Sequence, residues 1–195
     1  MSLRPGAPYA DRVEDDGRTL IHEGHDVSKT LGGPNPKQID QPDRNPSGSL
    51  TQNGLFAEAA LKYKNGGAPA ERVRVYEKIR SGIWVYNGPF ELVDCWTEES
   101  GGHKVFKFKL QVAGTLNQEG PAITPATAED DQLIPSWVKL EAWKRDQARC
   151  VKCGATSGLH FDHIIPYSKG GSSKAPKIIK ILCGRHKLAK RDRIE

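Results

Sequence analysis

Four residues in the last quarter of the chain have the types and spacing of a metal site. Cys150-Val-Lys-Cys153 is followed thirty residues later by Cys183-Gly-Arg-His186. A tetrahedral zinc ion takes four sulfur or nitrogen ligands, usually delivered as two close pairs, and two intervening residues let one turn present both side chains to one ion. Four protein ligands close the coordination shell, so this zinc is expected to be structural. The fourth cysteine, Cys95, lies far from the cluster and is expected to pack as a small core residue.

Between the two pairs runs Leu159-His160-Phe161-Asp162-His163-Ile164-Ile165-Pro166. Adjacent Asp162 and His163 can divide two tasks. A carboxylate suits a hard divalent cation, and a neutral imidazole suits proton abstraction from water near neutral pH. Hydrolysis of a phosphodiester needs both a hydroxide and a cation on the developing charge. Lys169, Lys174, Lys180, Arg185, Lys190, Arg191 and Arg193 surround these residues in sequence and are candidate phosphate contacts.

Charge and composition set the frame for these sites. The chain has 195 residues and a formal charge of +5. Residues 136–195 hold 14 Lys+Arg against 5 Asp+Glu, while residues 1–135 hold 15 against 19. A basic module behind an acidic one points to a polyanionic partner for the C-terminal part. No apolar run approaches the ~20 residues that span a bilayer, so no membrane partner is expected. The first residues lack the apolar stretch of a secretory signal. A cytoplasmic location is therefore expected, with cysteines used as thiols or metal ligands.

Three segments are expected: a unit over 1–112, a linker over 113–134 rich in Gly, Pro, Ala, Thr and acid, and a unit over 135–195. In the first, Thr19–His22, Arg72–Tyr76, Ile83–Tyr86, Phe90–Trp96 and Val105–Leu110 read as strands, with Asn87-Gly88 as a hairpin turn. Leu55–Tyr63 reads as a short helix ended by Asn65-Gly66-Gly67. Short strands with one helix indicate a compact barrel or curved sheet. In the second, a helix over Trp137–Gln147 is followed by strands at Leu159–Ile165 and Ile178–Leu182, and by a basic helix from about Gly184.

The Cys-x2-Cys pair, the stretch LHFDHIIPYSKGG, the ILC strand end and the basic tail resemble the HNH nuclease domain, with its ββα-metal fold. The resemblance covers about residues 135–195. It implies that His163 is the general base and that Asp162 is a ligand of a catalytic divalent metal, Mg²⁺ or Mn²⁺, separate from the zinc. Two positions depart from the pattern. The family places Asn where this chain has Ile178, and Asn or His where it has Lys187. Isoleucine cannot hydrogen-bond an imidazole, and an ammonium repels a divalent cation. The resemblance is therefore compatible with cleavage or with a catalytically impaired domain.

The segment VRVYEKIRSGIWVYNGPFELVDCWTEESGGHKVFKFKL resembles the SRA (SET- and RING-associated, or YDG) domain, as do Thr19–Gly24 and Leu50–Gly54. That resemblance covers about residues 7–112 and implies a PUA-like curved β-barrel, the whole chain being α+β. The family flips a modified cytosine, usually 5-methylcytosine, into a pocket with aromatic faces and a carboxylate acceptor. The matching positions are Tyr9 and His22 for the faces and Asp11 for the carboxylate, with Asp15 or Asp16 as alternatives. Together the resemblances imply a modification-dependent DNA endonuclease acting on cytosine-modified double-stranded DNA, as a homodimer if both strands are cut. The alternatives are a modified-DNA-binding protein that no longer cuts, and an HNH nuclease whose first domain does not read methylation.

Overall fold

The structure is a computed structural model, and it describes residues 1–113, 133–165, 173–190 and 193–194. It divides into two compact units. The first holds Met1–Val75 and Pro89–Ala113, the second Tyr76–Gly88 and the described residues from 133 onward.

The strands of the first part of the chain are β1 (Arg12–Glu14), β2 (Thr19–Glu23), β3 (Glu71–Arg80), β4 (Ile83–Ser100) and β5 (His103–Val112). They form one sheet in the order β1-β2-β5-β4-β3. β1 and β2 pair antiparallel with Val13 opposite Leu20, β2 and β5 with His22 opposite Phe108, and β4 and β5 with Leu92 opposite Leu110. A bulge between Leu92 and Asp94 shifts that last register, the usual way a strand is bent. Leu20, Ile21, Phe90, Leu92, Val105, Phe108, Leu110 and Val112 make the core of the first unit, together with Ala60 of helix α1 (Gln52–Lys64). Thr51 caps that helix, its Oγ1 accepting from Gly54 N at 3.1 Å.

Asn87-Gly88 does not turn the chain. β4 runs through it without a break, and the hairpin turn is Ser81-Gly82, where Gly82 has φ +76°. Gly88 takes φ +94° inside the strand, and Asn87, half-buried, is held by polar partners. Its Nδ2 donates to Glu77 Oε2 at 3.2 Å, and its Oδ1 accepts from Lys139 Nζ at 2.9 Å.

In the second unit, α2 (Ser136–Arg145) precedes β6 (Leu159–His163), β7 (Ile179–Cys183) and α3 (Gly184–Lys190). β6 and β7 pair antiparallel, Leu159 opposite Cys183 and His163 opposite Ile179. The local order is strand, strand, helix. Ile134, Val138, Ala142 and Ile179 form its core, with Phe161 packed against them. Leu133 and Ile134, at the end of the expected linker, are buried, and Ile134 belongs to this core. Ile134 packs with Val138, where burial removes its side chain from water. The rest of the expected linker, 114–132, lies outside the described residues.

The grouping of Tyr76–Gly88 with the C-terminal residues differs from a division at 112/113. Lys139 is the reason: its ammonium, 2% exposed, meets Glu77 Oε2 at 2.5 Å, with the Glu77 side chain fully buried. Ser136 Oγ also donates to Glu77. Two ionised groups are retained in an interior only when paired and hydrogen-bonded. Burial pulls the Lys139 ammonium below its usual range, and Glu77 opposes that shift.

Candidate functional sites

The candidate metal site is assembled from three elements. Cys150 and Cys153 sit on a turn closed by two hydrogen bonds, Cys150 N to Ala155 O and Gly154 N to Cys150 O, both 2.8 Å. Gly154, at φ +72°, completes the turn. Cys183 ends β7, and His186 lies one turn into α3. The four ligand atoms lie within 4.8 Å of one another. Cys153 Sγ and Cys183 Sγ are 3.8 Å apart, and His186 Nδ1 is 3.4 Å from Cys150 Sγ and 3.3 Å from Cys183 Sγ. Zn–S of about 2.3 Å and Zn–N of about 2.0 Å give tetrahedral edges of about 3.8 Å for S···S and about 3.5 Å for S···N. The donors therefore fit zinc in type and spacing. Burial opposes ionisation of Cys150. Backbone N–H groups of Cys183, Lys152 and Cys153, with His186, outweigh it and bring the thiol down to about 6. A ligand thiol of this kind is ready as thiolate at neutral pH.

Asp162 and His163 end β6, each 4% exposed. Asp162 Oδ2 is 2.6 Å from the Lys190 ammonium, itself buried. Lys190 also donates to His163 O. His163 Nε2 is 3.0 Å from Ser173 Oγ. Ile178 lies in a short 3-10 turn just before β7, and its backbone bonds Ile164 and Ala175. Neither Ile178 nor Lys187 offers a side-chain oxygen to a cation, and the Asp162 carboxylate already faces an ammonium. These residues do not fit a hard divalent ion, which needs several oxygen ligands.

Among the candidate phosphate contacts, Arg185 and Lys174 are exposed. Lys180 and Lys190 are buried at 7% and 3% exposure. The ammonium of Lys190 is thus spent inside the unit, a role its sequence position does not announce. Lys169 lies outside the described residues, as does Arg191. His160 is half-buried, and burial followed by the charge of Lys187 holds its imidazole below the usual range, against Asp162. With Lys187, Tyr86, Asn87 and Phe161 it lines a cleft of about 680 Å³ in the second unit.

In the first unit, Asp11 and His22 come together. Asp11 Oδ1 accepts from His22 Nδ1 at 2.8 Å and from Glu23 N at 3.0 Å, and Oδ2 accepts from Ser2 N at 2.9 Å. The Asp11 side chain is 1% exposed. It stands behind His22 and fixes its ring; the accessible face belongs to the imidazole. Burial raises the Asp11 carboxyl, but His22 and the backbone N–H groups of Glu23 and Ser2 win and hold it below the ordinary value. Asp15 is exposed and accepts from Thr19 Oγ1 at 2.6 Å; the Asp16 side chain lies outside the described residues.

Tyr9 and His22 meet through a third ring, His25. Its centroid is 6.1 Å from each, tilted against Tyr9 and edge-on to His22. Sequence reasoning missed His25, whose only signal is its place three residues beyond His22. Asn53 holds the His25 backbone at both ends, Oδ1 accepting from its N and Nδ2 donating to its O, each at 2.8 Å. Gly24 sits where any Cβ would lie 2.6 Å from Gln41 Oε1 and 2.7 Å from Asn53 Oδ1. The Tyr9 segment is anchored by a buried ion pair. Lys107 Nζ is 2.8 Å from Glu23 Oε2, and these two groups also bond Ala10 O and Ala10 N. Lys37 completes the group, its ammonium 4.4 Å from the Tyr9 ring centroid and 2.8 Å from Asp26 Oδ2.

No family model matches the sequence, and no curated protein matches it. Similar chains occur among crystal structures of the SUVH5 SRA domain with DNA. One, a complex with fully methylated CG DNA, is 30% identical over 53% of this chain and 56% of that chain, with a TM-score of 0.36. A complex with methylated CHH DNA is 24% identical over 56% and 61%, with a TM-score of 0.37. A structure bound to fully hydroxymethylated CG DNA is 26% identical over 57% and 60%, with a TM-score of 0.36. The chain thus spans 56% to 61% of the length of these solved chains. Among the described residues, no helix is long and apolar enough to cross a membrane.

Proposed function

We propose that the chain binds double-stranded DNA carrying a modified cytosine, reading the base with its first unit and gripping the backbone with its zinc-stapled second unit. The observation that carries this reading is the fixed ring of His22. In the neutral ring whose Nδ1–H faces Asp11 Oδ1, Nε2 is an acceptor. An everted cytosine presents a 4-amino donor, and the Tyr9 and His25 rings beside His22 supply π faces for it. Asp11 acts here as a positioning residue, and His22 makes the contact. The net positive charge of residues 136–195 and the exposed Arg185 and Lys174 support backbone binding by the second unit. The test compares duplexes that differ only by 5-methylcytosine, by fluorescence anisotropy at fixed salt. Tighter binding of the methylated duplex, lost in His22→Ala, is expected. Equal affinity of the parent protein for both duplexes would overturn the reading.

A second reading is phosphodiester cleavage by the ββα unit, as its HNH resemblance implies. The adjacency of Asp162 and His163 at the end of β6 favours it, with His163 taking a proton from water. The Asp162–Lys190 pair, Ile178 and Lys187 count against it, since neither of the last two side chains provides an oxygen ligand for a divalent ion. Incubation of methylated plasmid with Mg²⁺ or Mn²⁺ decides. No cleavage by the parent and cleavage by the Ile178→Asn, Lys187→Asn double variant are expected. Cleavage by the parent would establish the nuclease reading, and two-strand cuts would then require two copies of the unit.

A further inference from the structure

The ribbon Tyr76–Gly88 carries a face that neither proposed activity uses. Along β3, Glu77 and Ile79 point inward, 0% and 1% exposed, while Tyr76, Lys78 and Arg80 take the other face. On β4, Trp84 and Tyr86 join them. The Tyr76 and Tyr86 rings meet at 5.0 Å, and Lys78 Nζ lies 5.7 Å from the Trp84 ring centroid. Three aromatic rings and two cations therefore share one face. The rings remain 47% (Tyr76), 58% (Trp84) and 44% (Tyr86) exposed. The only carboxylate between residues 76 and 88 is Glu77, buried against Lys139. An exposed aromatic patch marks an interaction surface, and the ribbon itself contributes no exposed carboxylate to this one.

We propose that this face is a platform for single-stranded DNA. Its partner must present flat π faces and a row of anions together. Unpaired bases stack on tyrosine and tryptophan whatever their sequence, while phosphates meet lysine and arginine. A duplex hides its base faces in the stack and offers only phosphates. Tyr86 also lines the cleft that holds His160 and Lys187, so the platform is continuous with that cleft.

The test uses the full zinc-loaded chain and a fluorescein-labelled oligothymidylate, which contains no cytosine and so is independent of the modified-base reading. The Trp84→Ala, Tyr86→Ala variant is expected to bind at least about 10-fold more weakly, from the measured strength of base–aromatic stacking. Trp84→Phe retains most of the affinity, and Trp137→Ala, which removes an exposed ring on α2, leaves it unchanged. Lys78→Ala is expected to flatten the salt dependence by about 0.7 in log–log slope. These side chains are exposed or half-buried, so melting curves of the variants should overlay the parent. Equal affinity of the parent for the same-length duplex overturns the proposal. So does an undiminished affinity in the double variant, or tighter binding of polyglutamate than of oligothymidylate.

Discussion

Replacing Cys153 by alanine should cost the protein much of its zinc but less than replacing Cys150. Structural zinc contributes about 10–16 kcal/mol of apparent binding free energy in small metal-folded domains. Shared over four ligands, that is about 2.5–4 kcal/mol each, a loss of roughly two to three orders of magnitude in zinc affinity. Cys153 is exposed, so water can take the vacated coordination position and the lower figure applies. Cys150 is 2% exposed, and its turn bonds Ile181 O through Val151 N at 2.9 Å. Its loss opens a buried site as well, and the upper figure applies. The assay is competition for zinc with a chromogenic chelator, alongside cobalt substitution read by thiolate-to-metal absorption. One zinc per chain is expected in the parent, with the affinity order parent, Cys153→Ala, Cys150→Ala. Because the second unit has a small core, chelation should also abolish its cooperative unfolding. A parent protein that holds no zinc, or whose melting is indifferent to chelation, would refute the argument from ligand spacing.

Two further outcomes follow from buried charge. Glu77→Gln strands the Lys139 ammonium in the interior and should destabilise the second unit by about 3–5 kcal/mol in urea titration, whereas Glu77→Leu with Lys139→Met should recover most of that loss; a single variant within 1 kcal/mol of the parent would contradict it. Asp11→Asn should lower the stability of the first unit at pH 7 by about 1–3 kcal/mol through loss of a charged acceptor. The folded-state carboxyl lies below its ordinary value of 3.8, so its contribution is present above that value and vanishes as pH falls through the lower folded value. The acid limb of the parent's stability curve should therefore be steeper than that of Asp11→Asn, and parallel limbs would show that Asp11 does not titrate with folding.

The Cys150, Cys153, Cys183 and His186 cluster was legible because its chemistry is local: each pair spans four residues, and only one turn or one helix start has to form. The strands β2, β3 and β5 and the helix α1 were legible for the same reason, since alternation and a Thr51 cap act within a few residues of chain. Asn87-Gly88 misled because a dipeptide suited to a turn can also serve a strand when its side chain has a buried partner, and Glu77 and Lys139 are that partner. What the sequence alone determined is thus the set of donors, rings and cations and their short-range spacing. Tertiary structure decided what each is free to do. It placed Lys190 on Asp162 across 28 residues, set Asp11 behind His22 instead of in front of it, and brought His25 between Tyr9 and His22 by way of Asn53. The physical reason is that a charge or a hydrogen-bonding group acquires its role from whichever partner reaches it in the folded chain. Desolvation makes that partnership obligatory once the group is buried.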